Sequence, residues 1–178
     1  MLTPGNMNHT IVNPKGIDKE IQVIQNALFS KLGWPKMDIY GRVHKNLSKD
    51  KGYVPEFYMG KNEYKDVFTN DLQASNIFFI DDETHTTDNR VFYFSDVKIV
   101  FMVDLRKIKP NINHRADMEV EVEALKVVKQ HRMFQIDGFE KGVEAVFKGF
   151  NIDHIRKLNI QPYHVFALTG KLKYKINC

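Results

Sequence analysis

Apolar and polar positions alternate with period two along residues 95–105 (SDVKIVFMVDL), where Val97, Ile99, Phe101, Val103 and Leu105 share one face. The same alternation runs through residues 163–176 (YHVFALTGKLKYKI). There Phe166, Leu168, Leu172, Tyr174 and Ile176 fall on one face, and Lys171, Lys173 and Lys175 on the other. Period two over such lengths predicts strands with one buried and one solvated face, as in an antiparallel sheet. Between them, residues 114–134 repeat at helical period. Met118, Val122, Leu125, Val128 and Phe134 form the expected buried face, Glu119, Glu121, Glu123, Lys126 and Lys129 lie outside, and Asn113 serves as N-cap. An earlier helix is expected over residues 17–32, where Ile17, Ile21, Ile24, Leu28 and Leu32 recur at spacings of three and four until Gly33 and Pro35 stop it.

Residues 1–16 are rich in turn formers (Pro4, Gly5, Asn6, Asn13, Pro14, Gly16) and read as a polar N-terminal arm preceding a single domain, residues 17–178. Residues 38–43, 52–58 and 63–68 read as short extended segments, Pro55 holding its own segment at an edge or outside the ladder. Residues 75–80 (SNIFFI) are apolar enough for a buried strand or a docking segment, and residues 81–90 (DDETHTTDNR) form a polar excursion with Phe79 and Val91 as the feet of a hairpin. Residues 139–147 read as a short amphipathic piece, and Gly170 marks a bulge or a close backbone approach. The fold class expected is α+β: a mostly antiparallel sheet against two main helices, with an N-terminal arm and a protruding loop.

At 178 residues the chain suits one domain with a substantial core. Its net charge of +4 is uneven: residues 1–90 hold 11 basic and 12 acidic side chains, residues 91–178 hold 15 and 10. No block of five or more basic residues occurs, so a solvated strand face is the simpler reading of the basic half. A basic, aromatic-bearing sheet that binds single-stranded nucleic acid is the rival. It would use Lys171, Lys173 and Lys175 with Arg106, Lys107, Lys109, Tyr163 and Tyr174. Here those tyrosines are expected on the face opposite the lysines. One cysteine, Cys178, cannot form an internal disulfide, and as a terminal residue it makes a poor nucleophile. The polar N-terminus and the lack of any run approaching 18 apolar residues predict neither secretion nor membrane insertion.

The best metal candidates, Asp81, Asp82, Glu83, His85 and Asp88, lack the glycine and terminal glutamate of a calcium loop, and the seven histidines include no HxH or HxxxH pair. GxGxxG, GxxxxGK[ST] and GxSxG are all missing. No catalytic, cofactor or metal residue is assigned, and the expectation is a protein that is not an enzyme.

The order helix, extended segments with an excursion, long strand, helix, long strand resembles the tail-terminator, tail-completion and neck ring proteins of bacteriophages, of the kind found in crAss-like phages of Bacteroidetes. The phrases that carry the resemblance are residues 17–34 (IDKEIQVIQNALFSKLGW), 40–46 (YGRVHKN), 55–58 (PEFY), 63–71 (EYKDVFTND) and the two long strands. It implies a virion structural protein, assembled in the host cytoplasm into a homo-oligomeric ring of six or twelve copies. Its partners would be the portal, a neighbouring neck ring or tail proteins, with genomic DNA passing through the lumen. On that reading Lys171, Lys173 and Lys175 face the DNA lumen. Asp81, Asp82, His85 and Arg90 belong to an inter-subunit contact loop, and residues 1–16 and 171–178 reach neighbouring subunits.

Overall fold

The structure, a computed structural model, describes residues 5–68 and 73–176; Cys178 and the first four residues of the arm lie outside them. In chain order the elements are β1 (Met7–His9), α1 (Ile17–Lys31), β2 (Met37–Ser48), β3 (Gly52–Gly60), β4 (Glu63–Asp66), β5 (Ser75–Thr87) and β6 (Phe92–Asp104). There follow α2 (Leu105–Ile108), α3 (Asp117–Val128), β7 (Phe134–Lys141), α4 (Val143–Val146), a 3-10 turn at Arg156–Asn159, and β8 (Tyr163–Lys175). The strands make one sheet in the order β4-β3-β2-β5-β6-β8-β7, with β1 added alongside β2. Every pairing is antiparallel except β1–β2 and β2–β5, so the fold is α+β with two main helices, as the sequence predicts.

The register expected for the two long strands is the observed one. Val97, Phe101, Phe166 and Leu172 are buried, on the face covered by α1 and α3. At its centre the rings of Phe101 and Phe166 stack with centroids 4.7 Å apart. Each buried ring contributes roughly 2–3 kcal/mol. Helix α1 lays Ile17, Ile21, Ile24 and Leu28 on this face and ends where Gly33 takes a left-handed φ of 67°. Trp34 then fills the space between α1 and Phe101, its indole N–H donating to Glu123 of α3 at 2.7 Å.

The opposite face departs from the expectation of a solvated surface. Over the middle of the sheet Val100, Met102, Val165 and Ala167 are buried under Val143, Val146, Phe147, Ile155 and Leu158 of the segment between β7 and β8. Near-continuous apolar runs (IVFMV, VFAL) accompany burial on both faces. At the far end of β5, β6 and β8 the face away from the helices stays open.

Other expectations need correction. Helix α3 spans Asp117–Val128, is preceded by Ala116 at the cap position in place of Asn113, and stops before Phe134, which opens β7. Its phase differs too: Val120, Ala124, Val127 and Val128 are buried, Met118 and Val122 are exposed, and Glu121 is buried rather than outward. Small Ala116 and Ala124 let this face close on its neighbours, and Glu121 finds buried partners there. Residues 139–147 are not one amphipathic piece, since they divide between the end of β7 and the single turn α4.

The hairpin feet are not Phe79 and Val91. Phe79 pairs with Ile99, and β5 continues through the polar residues to Thr87, opposite Tyr93. Threonines 84, 86 and 87 are strand formers in spite of their polarity. The turn itself is residues 88–91, where Asn89 Oδ1 accepts from the amides of Val91 and Phe92, each at 2.9 Å. Leu105 leaves its strand to open α2, and Ile176 lies beyond β8 and is exposed. The arm is stitched down: β1 pairs with β2, Gln25 of α1 donates to Asn8 and to the His9 carbonyl, and Asn6 caps the 34–37 turn. Among the described residues no helix is long and apolar enough to cross a membrane.

Gly170 is the close approach that its place in a strand implies. A Cβ there would run into the carbonyl oxygen of Gln135 and the ring of Phe134 in β7. Gly170→Ala is therefore expected to lower stability by about 2–3 kcal/mol in urea denaturation. A change below about 0.5 kcal/mol would show that β7 is not seated on β8 in this register.

Candidate functional site

Helix α1 comes up against the ring of Tyr174, where a Cβ on Gly16 would meet it at 3.8 Å. Tyr174 pairs with Tyr93, one residue short of the ends of β6 and β8, so on this face the helices reach almost the whole length of the two strands, while the other face is left open at the same end. On the face away from the helices this end carries cross-strand pairs Phe92–Lys175, Phe94–Lys173 and Asp96–Lys171. Directly opposed residues share a face, so two aromatic rings lie among the three lysines proposed from sequence. The Lys173 ammonium sits 4.0 Å from the Phe92 ring centroid and 5.9 Å from that of Phe94, and Lys175 lies 4.9 Å from Phe92. Lys171 pairs with Asp96 at 3.3 Å. Further along, Lys98 pairs with Glu140 at 2.6 Å and marks where the covered part of this face begins.

The other cations named from sequence do not join this group. Arg106, Lys107 and Lys109 follow Asp104, which pairs with Tyr163, at the opposite end of the same two strands. Tyr174 is buried on the helix side, as expected, but Tyr163 lies on the other face, partly buried at the opposite end of β8. Phe92 and Phe94 are what the sequence reading missed: it began the strand at Ser95, and the aromatic triplet Phe92-Tyr93-Phe94 masks the alternation. Continuing period two backwards from Val97 and Ser95 to Tyr93 would have placed both phenylalanines beside the lysines.

The hairpin residues divide into two groups. Asp81 is turned inward, where one carboxylate oxygen accepts from the Ser95 hydroxyl and from the Glu83 amide at 3.1 Å, and the other accepts from His85 Nε2 at 2.7 Å. His85 Nδ1 then hydrogen-bonds with the Tyr174 hydroxyl. A carboxylate only accepts, so Nε2 is the donor in its bond to Asp81. Burial pushes the Tyr174 pKa above its ordinary value, as does the negative charge of Asp81, so the phenol keeps its proton. Asp81 and His85 flank an irregularity in the β5–β6 ladder and hold it by this chain of hydrogen bonds. Asp82 and Arg90 are exposed, Arg90 within the turn with its amide donating to Thr87 Oγ1 at 2.8 Å. Among the described residues no three His, Cys, Asp or Glu side chains are grouped to hold a metal ion.

Apart from a cleft of about 50 Å³ bordered by Ser75, Asn76, Asp104 and Lys107, two further polar clefts lie elsewhere among the described residues. One, of about 160 Å³, is bordered by His9, Gln25, Arg42, His44 and Tyr58, and its arginine is held bidentately by Asp18 at 2.8 and 3.1 Å. The other, of about 230 Å³, is bordered by Arg115, Lys141 and His164. Glu121 beneath it pairs with His164 and Lys141, both at 2.9 Å, and Arg115 pairs with Asp117 at 3.4 Å. Both clefts pair their own charges, and no serine, threonine or cysteine lines either one. No family model, curated protein or solved structure matches this chain.

Three histidines set an acid limit on the fold. Burial holds His164, His44 and His131 below the ordinary histidine pKa; in His164 this outweighs the opposing effect of Glu121. The unfolded chain then binds more protons than the folded one as pH falls below the model-peptide value of about 6.5. Stability is full above that value and declines as pH falls from it towards the folded-state pKa values. The urea midpoint should drop between about pH 7.5 and pH 5.5. His164→Gln, which retains a donor for Glu121, should reduce that drop. A midpoint independent of pH across this window would contradict the account.

Proposed function

We propose that this chain is a non-enzymatic structural protein of a phage virion, a neck or tail ring subunit acting as head–tail connector or tail terminator. The observation that supports it most is the hairpin end of the sheet, whose face away from the helices is open. It projects an ordered hairpin and presents cations on one face, while the charged side chains of both polar clefts are already engaged. In a ring of six or twelve copies, the hairpin turn with Asp82 and Arg90, the edge strand β7 and the C-terminal segment would supply head-to-tail contacts. The lysine face would look towards DNA passing through the lumen, where sequence-independent attraction suffices. The ring would join portal or capsid to tail, in the virion neck, after assembly in the host cytoplasm.

Light scattering on the size-fractionated protein, with negative-stain imaging, tests this reading. Wild type should give a closed ring mass. Replacing residues 88–91 by a two-residue Asn-Gly turn preserves the hairpin while shortening its reach, and should give folded monomers. Arm deletion is a poorer test, because β1 is part of the sheet. A wild-type protein that stays monomeric at every accessible concentration would overturn the proposal.

A further inference from the structure

The open face carries more than a lumen lining needs. Attraction of a passing duplex requires charge alone, and rings set among the charges add nothing to it, because duplex bases are stacked out of reach. We infer that Phe92, Phe94, Lys173 and Lys175 form a binding site for single-stranded nucleic acid, whether a free strand or an unpaired end of a duplex. This rests on the reading that the face meets nucleic acid, and it does not require ring assembly.

The geometry is that of a stacking platform. Phe92 and Phe94 are two residues apart on one strand, which puts them about 7 Å apart on the same face. Both are half-buried, so each offers an anchored ring with an accessible surface. Directly across the ladder stand Lys175 and Lys173, and among the described residues neither forms an ion pair, whereas Lys171 is neutralised by Asp96. In the free protein the two ammonium groups rest against the Phe92 ring.

Binding a strand exchanges these contacts. A base takes the ring surface and the displaced ammonium moves to a phosphate. A base stacked on an aromatic side chain outweighs an exposed cation–π contact by a factor of about ten in equilibrium constant, before the phosphate contact is added. An acidic protein segment would satisfy the two cations but has no regular series of planar groups for the rings. Single-stranded nucleic acid supplies both at each nucleotide, and stacking of this kind tolerates any sequence.

The test uses the full chain and fluorescence anisotropy with a labelled dT oligonucleotide. Its comparison probes are a duplex of equal length, the same duplex with a dT overhang, and poly-glutamate as competitor. The variants are Phe92→Leu/Phe94→Leu, which keeps apolar packing and removes the rings, and Lys173→Gln/Lys175→Gln, each checked for folding by circular dichroism. The single strand and the overhang should bind at least about tenfold tighter than the blunt duplex. The leucine variant should lose about tenfold in single-strand affinity with an unchanged salt slope. The glutamine variant should reduce the slope of log K against log salt by about 1.4, two charges at 0.7 each. If single strand and duplex bind alike and the leucine variant matches wild type, the stacking site is refuted while the charged lumen face survives. If neither form binds, both readings of this face fail. Competition by poly-glutamate as effective as by dT would reduce the site to a bare cationic patch.

Discussion

On strands β5, β6 and β8, each 13 residues long, the two faces are covered to different extents. At about 3.4 Å per residue the strands run roughly 44 Å. Helix α1, with 15 residues, spans only about 22 Å at 1.5 Å per residue. Helices α1 and α3 together bury one face of β6 and β8 from Val103 to Tyr174, whereas the β7–β8 connection buries the other face only over the middle. Where α1 and α3 lie on one face and the β7–β8 connection on the other, both faces are apolar. On the helix side only β5 outruns this cover, past Asp81, and on the other face β5, β6 and β8 all do, so that end needs another means of staying folded on each face.

Different chemistry meets that need on the two faces. On the helix side, burial ends at Tyr174, stacked on Tyr93 with centroids 5.9 Å apart, and the Tyr174–His85–Asp81–Ser95 chain of hydrogen bonds follows. A neutral intramolecular hydrogen bond adds only about 1 kcal/mol. Leaving buried Asp81, Ser95 or Tyr174 unpaired would cost more, so the chain specifies the hairpin's register as much as it stabilises it. On the other side, ammonium groups rest on half-buried phenylalanines. Such contacts are weak enough to be exchanged for those of a partner, which is the physical basis for placing function at this end.

The sequence reveals what local pattern determines. The registers of β6 and β8 are legible because Val97, Phe101, Phe166 and Leu172 are held by period two on a buried face. The ends of α1 are legible because Gly33 and Pro35 act through backbone geometry alone. What stays hidden depends on distant partners. Strand β7 contains Asp137-Gly138, which reads locally as a turn, but Thr169 bonds Asp137 at 2.7 Å and β8 gives the strand its ladder. The phase of α3 is concealed because Glu121 is buried against His164, 43 positions away, while Met118 and Val122 face outward. At the candidate site the three lysines were legible, and the two rings beside them were not. Nor was Asp81 distinguishable from its exposed neighbour Asp82, since both reach Ser95 and it is the added bonds to His85 and the Glu83 amide that accompany the inward turn of Asp81.

Amide hydrogen exchange along β6 tests most directly whether this chain has a helix-covered core and a separate, partner-ready end. In the free protein, amides of Val97, Ile99, Phe101 and Val103 should exchange only through global unfolding. Those of Phe92 and Phe94 should exchange through cheaper local opening despite their ladder hydrogen bonds. Adding single-stranded oligonucleotide should slow exchange at that end of β6 and at Lys171–Lys175, leaving α1 and α3 unchanged. Uniform protection along the whole of β6, or slowing confined to the helices, would contradict the account.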